Sequence, residues 1–285
     1  MFATSDLITY VVNYNKHVAR ALGRECELSL TEYRIISYLS DHVQGHSPSK
    51  LAKILRTSAA TVTLSANELE IRQLVLKKAD NGRKRLAITK AGTDAARDAD
   101  LVLAQTHEEY FSALTPQQKA VVDVGSMITN KNSAEGNRMR DGHFFSAFET
   151  LQAFLVMEEL LTNATRSCGL SLNGFRMLFE LSQREGAARL GELGYALLLP
   201  PATTCYVVDR LAESGFAERT RTKGDGRSNT ARLTDEGRRA LDEAVVLVEA
   251  VFTTDLRSSG AAERDSYKDA ASLVVSSLQK RRANR

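Results

Sequence analysis

Two stretches of the chain carry arginines and lysines next to glycine-containing turns: DNGRKRLAITKAG at 80–92 and KGDGRSNTARLTDEG at 223–237. Each runs Asp, Gly and Arg, then an alternating segment, then Leu or Ile, Thr, two residues and Gly. Arg83, Lys84 and Arg85 follow an Asn-Gly pair that favours a tight hairpin turn, so the tip of such a hairpin presents cations. Between Arg72 and Lys90 the only acid is Asp80, against Arg72, Lys77, Lys78, Arg83, Lys84, Arg85 and Lys90. Between Arg219 and Arg232 it is Asp225, against Arg219, Arg221, Lys223, Arg227 and Arg232. Cations concentrated in this way suit phosphate chemistry. The net charge of +3 is weak evidence on its own, and its distribution carries the argument.

Other chemistries are poorly supported. His42 and His46 form an H-x3-H pair in DHVQGHSP, but no second His or Cys pair completes a tetrahedral site, so a solvated loop and no metal are expected. No phosphate-binding loop, dinucleotide fingerprint, HExxH or GxSxG occurs, so neither an enzyme nor a cofactor is expected. Cys26, Cys168 and Cys205 are too few for a disulfide framework and read as reduced thiols. Cys26 and Cys168 occupy matched positions and invite a redox reading, yet only Arg24 and Arg166 lie nearby to stabilise a thiolate, so core packing is favoured.

The elements that must position the basic stretches occur twice. CELSLTEYRIISYLS at 26–40 overlies CGLSLNGFRMLFELS at 168–182 with an offset of 142 that also relates Leu51 to Leu193 and Leu69 to Leu211. Between Thr89 and Thr234 the offset is 145, which places three extra residues of the second copy in a loop. A chain of 285 residues is comfortable as two domains. Composition is that of an ordinary globular protein, 43% hydrophobic and 26% charged with four Pro, and suggests a helix-rich fold. No apolar run is long enough for a membrane span, and MFATSDLITYVV lacks a basic leader, so a cytoplasmic protein without membrane contact is expected.

In each copy, helical periodicity predicts a long first helix (5–24; 143–166), a second (29–40; 171–184), a short third (SPSKLAKILRT; AARLGELGYALLL) and a fourth. The fourth opens on a capping Thr57 or Ser58 in one copy and on Pro201 in the other. A hairpin and two closing helices follow. The polar NKNSAEGNRMRDG reads as a linker, giving units at 1–130 and 143–285 joined by 131–142. The fold class is mainly α with small β-hairpin wings.

Three short helices followed by a hairpin form the winged helix-turn-helix plan, and DRLAESGFAER followed by DGR...ARLTDEG resembles the wing of the MarR family of bacterial transcriptional regulators. Asp225, Arg227, Leu233, Thr234 and Gly237 fit the family pattern. In the first copy Asp80, Leu86, Ile88, Thr89 and Gly92 fit, but Gly82 holds the arginine position and the arginine has moved to Arg83. The resemblance implies a non-enzymatic, DNA-binding regulator, a repressor relieved by a small apolar or phenolic effector. Members of this family are two-fold dimers, so a chain with two units implies a pseudo-two-fold dimer within itself. Two chains pairing into a four-winged assembly is the alternative.

The fourth helices are the recognition helices, since one helix fits the major groove. Periodicity places Val62, Ala66 and Leu69 inward in the first, and Val208 and Leu211 inward in the second. Ser58, Ala60, Thr61, Thr63 and Leu64, and Ala202, Thr203, Thr204 and Tyr206, are the candidate DNA contacts. Lys77, Lys78, Arg83, Lys84, Arg85, Arg219, Arg221, Lys223 and Arg232 are expected to face phosphates. By the resemblance, Arg227 lies along the minor groove, oriented by Asp225. The family often places a basic residue where Leu64 and Tyr206 stand. Without that guanine reader, worth about 1–3 kcal/mol, base-specific readout is expected to be modest or shifted toward A·T-rich sites and groove shape. The two helices differ, so the expected operator is an imperfect palindrome in double-stranded DNA. Arg34 and Arg176 read as surface ion pairs, with contact to phosphate or to a ligand cleft as the alternative. Tyr10, Tyr14, Phe144, Phe145 and Phe148 are candidates for the effector cleft, with dimer core as the competing role. A degenerate winged-helix module that binds ligands or proteins without reading DNA is the other class of function.

Overall fold

A computed structural model describes residues 5–42, 44–80, 83–130, 139–140, 143–221, 229–255 and 261–284. The chain divides into two compact units. One comprises Tyr14–Ser112 with Ser126–Ala153, and the other Met1–Asn13, Ala113–Gly125 and Phe154–Arg285. Each therefore takes segments from both sides of the 131–142 stretch, and each is described here on its own.

In the unit centred on 14–112, α1 (Ser5–Glu25) supplies its second half and α2 (Leu30–Asp41) follows. A capping box starts α2: the Ser29 hydroxyl accepts from the Glu32 N–H, and the Glu32 carboxylate accepts from the Ser29 N–H at 2.6 Å. Helix α3 (Pro48–Ile54) has Ser47 as its cap and Pro48 in its first turn. Helix α4 (Ala59–Ile71) starts at Ser58, whose hydroxyl accepts from the Thr61 N–H at 3.0 Å. Strands β1 (Val75–Asp80) and β2 (Arg83–Ile88) are antiparallel, with Asp80 opposite Arg83. Two residues separate the strands, as the Asn-Gly pair predicts. His46 adds a single bridge to Leu86 at the edge of this hairpin. Helix α5 (Lys90–Tyr110) closes the unit's main segment. It is anchored where the Tyr33 hydroxyl donates to buried Asp100 at 2.7 Å.

The other unit repeats this order. The later part of α7 (Ser146–Ser167) leads to α8 (Leu172–Ser182), strand β5 (Ala187–Arg189), α9 (Leu190–Ala196), α10 (Pro201–Glu213), β6 (Ala217–Arg221), β7 (Asn229–Leu233), α11 (Asp235–Asp255) and α12 (Ala261–Ala283). The beginning of α6 (Pro116–Asn130) also belongs here. The third helix read from AARLGELGYALLL is shorter than expected, because Ala187–Arg189 pair with β7 in a sheet ordered β5-β7-β6. Ala188 opposite Ala231 is the counterpart, at the two offsets, of His46 opposite Leu86. A short strand pair, β3 (Met139–Arg140) with β4 (His143–Phe144), spans the end of the linker and the first residues read as helix, so that α7 starts at Ser146 and not at 143.

The Thr-x-x-Gly ending of both opening stretches has a local structural cause. The Thr89 hydroxyl accepts from the Gly92 N–H at 2.9 Å and donates to the Gln73 carbonyl at 2.9 Å; the Thr234 hydroxyl accepts from Gly237 at 2.9 Å and donates to the Gly215 carbonyl at 2.7 Å. Thr89 thereby caps α5 and ties it to the segment that precedes the hairpin, and Thr234 does the same for α11. A Cβ on Gly92 would fall 2.0 Å from the Leu74 oxygen, and one on Gly237 1.9 Å from the Phe216 oxygen, so only glycine permits the approach.

Candidate nucleic-acid interface

Helix α4 buries Val62, Ala66 and Leu69, a spacing of four and three that keeps one face inward. Burying each of the larger two contributes about 1.5–3 kcal/mol. The opposite face exposes Ser58, Ala60, Thr63 and Leu64, with Leu64 68% exposed and Thr61 half-buried. The Ser58 and Thr61 hydroxyls lie 2.8 Å apart, and the Thr63 hydroxyl donates to the Ala59 carbonyl at 2.8 Å. Each hydroxyl keeps acceptor capacity for an external group.

Helix α10 buries Thr204, Val207, Val208 and Leu211 and exposes Ala202 and Tyr206, the latter to 64%, while Thr203 is half-buried. Thr204 departs from the outward face expected of it. Its hydroxyl donates to the Pro200 carbonyl at 3.1 Å, and it packs beside Gly194, where a Cβ would approach that hydroxyl to 2.7 Å. Pro200 and Pro201 open this helix without a side-chain cap, whereas α4 has Ser58.

Among the hairpin cations, Lys78 and Arg232 are exposed and Arg85 is half-buried. Lys77 and Arg219, expected to face phosphates, instead return to their own recognition helices. The Lys77 ammonium pairs with Glu70 and donates to Asn67 at 2.7 Å; Arg219 pairs with Asp209. Position 77 matches 219 and 67 matches 209 at the offset of 142, so both units use one device to fasten hairpin to helix. Much of each cation's charge is met inside the protein, which lowers its value to a phosphate. Arg83, Lys84 and Arg221 lie in described strand backbone; Lys223, Asp225 and Arg227 lie outside the described residues.

Helix α3 and the turn after it expose three cations that the sequence reading did not single out, Lys50 and Lys53 on the helix and Arg56 two residues past its end. The signal was available in the sequence as a difference from the matched residues of the second copy.

Arg34 and Arg176 are buried, and so are not the surface pairs expected from sequence. Arg34 donates to Gln152 at 2.9 Å. Arg176, fully buried, donates to Asn173 at 2.8 Å, Thr9 at 2.9 Å and the Leu197 carbonyl at 2.7 Å. That carbonyl belongs to the turn between α9 and α10. Three further hydrogen bonds from α12 reach the end of α9 and this turn: Arg282 donates to the Gly194 and Leu199 carbonyls at 3.0 and 2.8 Å, and Gln279 to Ala196 at 3.0 Å.

The aromatic candidates for an effector cleft are mostly buried. Tyr10 packs edge-on against Phe154 and Tyr267 in one unit, with centroids at 5.0 and 6.0 Å. Tyr14 belongs to the other unit, where its hydroxyl lies 3.1 Å from His107 Nδ1 and donates to the Ala147 carbonyl at 3.2 Å. Phe148 is buried, Phe145 stacks on it at 6.3 Å, and Phe144 is described in its backbone alone. The three cysteines are half-buried thiols. Burial pushes the Cys26 thiol up, with Glu25 and Asp98 adding to the shift, which disfavours a reactive thiolate.

His42 and His46 are part of a ring cluster with Tyr38, which stacks on His42 at 4.0 Å and lies 5.4 Å from His46. Among the described residues no group of three or more His, Cys, Asp or Glu could hold a metal, and no helix is long and apolar enough to cross a membrane.

Residues 169–228, which span α8, α9, α10 and the start of the second hairpin, match the family model described as MarR family. The chain carries a MarR family domain. An uncharacterised HTH-type transcriptional regulator, YkoM of Bacillus subtilis (strain 168), is 34% identical over 92 residues, which is 32% of this chain and 59% of that protein. The match thus spans under two thirds of that relative's length. Two solved structures are similar at lower identity. A probable transcriptional regulator from Pseudomonas aeruginosa is 24% identical over 43% of this chain and 90% of its own, with a TM-score of 0.38. A MarR family transcriptional regulator from Rhodococcus sp. RHA1 is 20% identical over 43% and 91%, with a TM-score of 0.40.

Proposed function

We propose that this chain is a cytoplasmic, non-enzymatic transcriptional repressor that reads an imperfect palindrome in double-stranded DNA with two non-identical winged helices. The observation that carries the reading is the pair of helices α4 and α10, each with an apolar face packed inward and an outward face of small or hydroxyl-bearing residues beside one large uncharged residue, Leu64 or Tyr206, and each followed by a cation-bearing hairpin. One lies in a segment that matches the MarR family. The same order of elements in both units, with α3 and α4 related to α9 and α10 by one offset of 142, supports duplication of one unit, and with the family resemblance a pseudo-dimer within a single chain. The contacts assigned to DNA are Ser58, Ala60, Thr61, Thr63, Leu64, Ala202, Thr203 and Tyr206 on the helices. Lys78, Arg83, Lys84, Arg85, Arg221, Lys223, Arg227 and Arg232 serve the hairpins, with Asp225 orienting Arg227.

The effector class, small and apolar or phenolic, follows from the family resemblance, and of the candidate side chains that are described Phe145 alone is half-buried. The second reading is a winged-helix module that no longer reads sequence; uncharged Leu64 and Tyr206 on the outward faces favour it. Binding of the full chain to the DNA flanking its own gene, against random duplex and in rising salt, separates the two. Selective retention on the flanking DNA supports repression by operator binding, and equal binding to both duplexes overturns it.

A further inference from the structure

The two winged helices are alike in backbone and opposite in charge at one place. Helices α3 and α9 coincide residue for residue at the offset of 142, Pro48–Ile54 with Leu190–Ala196, and so do α4 and α10. The residue two past each helix end also agrees: Arg56 has a φ of 47° and Leu198 one of 54°. Exposed Lys50, Lys53 and Arg56 in the first unit are replaced in the second by exposed Glu192, exposed Tyr195 and half-buried Leu198. Three cations thus correspond to one carboxylate at geometrically matched positions, and between 189 and 198 the second unit has a single cation, exposed Arg189, where the first has Ser47. In a helix-turn-helix the helix before the recognition helix crosses the phosphate backbone, so this is where charge converts into affinity.

Resting on the proposed DNA-binding function, we infer that the two halves divide the work. The unit containing Lys50, Lys53 and Arg56 is the electrostatic anchor on duplex DNA, and the unit containing Glu192, Tyr195 and Leu198 contacts its half-site with little phosphate neutralisation from α9. The hairpin tips do not decide this division, because both sequences place cations there. Family resemblance does not predict it either, since both copies carry the same sequence of elements. The consequence is a regulator held on one half-site largely by charge while the other half-site adds selectivity through short-range contacts of Ala202, Thr203 and Tyr206.

The test compares the full-length wild type with two variants on a random-sequence duplex of about four helical turns, by titration across a range of salt. The first, Lys50→Gln with Lys53→Gln and Arg56→Gln, keeps side-chain length and removes three charges. Its slope of log affinity on log salt is expected to fall by about 2 to 3, with more than about tenfold weaker binding at low salt. The second, Tyr195→Lys with Leu198→Arg, copies the anchor onto α9 and leaves Glu192, which accepts from the Arg189 N–H, as the helix cap. It is expected to bind more tightly, with a slope steeper by about 1 to 2. Thermal melts of both variants control for folding, since a merely structural role for the three cations would lower the melting temperature and leave the slope alone. Duplex binding by the wild type with an unchanged slope in either variant overturns the division of labour and leaves the DNA-binding function standing. Failure of the wild type to bind any duplex overturns both.

Discussion

Gly237→Ala and Gly23→Ala make the same chemical change and are expected to move stability in opposite directions. At Gly237 the added Cβ falls 1.9 Å from the Phe216 oxygen, so helix or carbonyl must move by about 1.5 Å to reach the 3.4 Å where ordinary contact begins. The carbonyl is not free to yield, because it accepts from the Thr234 N–H at 3.3 Å beside the two Thr234 hydroxyl bonds to Gly237 and Gly215. Loss of two or three such bonds at about 1 kcal/mol each, with about 1–3 kcal/mol of overpacking, outweighs the gain of less than about 1 kcal/mol from helix propensity. The net expectation is a loss of about 2–5 kcal/mol. Gly23 lies in α1 with nothing within 4 Å of its added Cβ, so alanine there should add about 0.5–1 kcal/mol by restricting the unfolded chain. Urea unfolding followed by circular dichroism and tyrosine fluorescence reads both, since the chain has no Trp. An unchanged midpoint for Gly237→Ala, or a fall for Gly23→Ala, refutes the close-approach argument.

Three further outcomes are expected. Ser58→Ala removes the only side-chain cap found on a recognition helix among the described residues and should cost about 1 kcal/mol of stability; an equal cost from Pro200→Ala would contradict the asymmetry, because that site has no side-chain cap bond. Arg282→Met withdraws donors from the Gly194 and Leu199 carbonyls and should speed hydrogen exchange at the start of α10 while sparing α4; unchanged exchange in α10 would show that α12 does not brace the turn. The His46 ring is held below its ordinary value of 6.5 by burial, then by Lys50, His42 and Arg85, so its NMR titration midpoint should lie under 6.5 and rise when Lys50 is changed to Gln. The unfolded chain then binds more protons than the folded one in the window below 6.5, so this contribution to stability is intact above 6.5 and falls as pH falls through it. A midpoint at or above 6.5 would contradict the assigned causes.

The inward stripes of both recognition helices were legible because a 3.6-residue period needs no knowledge of partners: Val62, Ala66 and Leu69, and Val208 with Leu211, are buried as the pattern placed them. What periodicity cannot supply is contact between residues far apart in sequence. Ala187–Arg189 became a strand because β7, some forty residues later, offers a ladder. Lys77 and Arg219 turned toward Glu70 and Asp209 because the hairpin folds back over the helix that precedes it. Arg176 went inside because Thr9 and the Leu197 carbonyl, more than 160 and 20 residues away, accept its donors. Thr204 sits two positions from each of the exposed residues Ala202 and Tyr206, and the hydroxyl that suggested a DNA contact closes a bond to the Pro200 carbonyl that caps its own helix. The doubled phrase divides in the same way, its Thr and Gly fixing backbone at the base of each hairpin, while of its described cation side chains Lys90 and Arg232 are exposed and Arg85 is half-buried.

Selection of bound sequences from a random duplex pool tests the central claim most directly. The full chain should enrich one site with two unequal half-sites, bound in salt that releases the starting pool. An enriched pool bound no better than the starting pool, or a perfect palindrome with equal half-sites, would contradict the account.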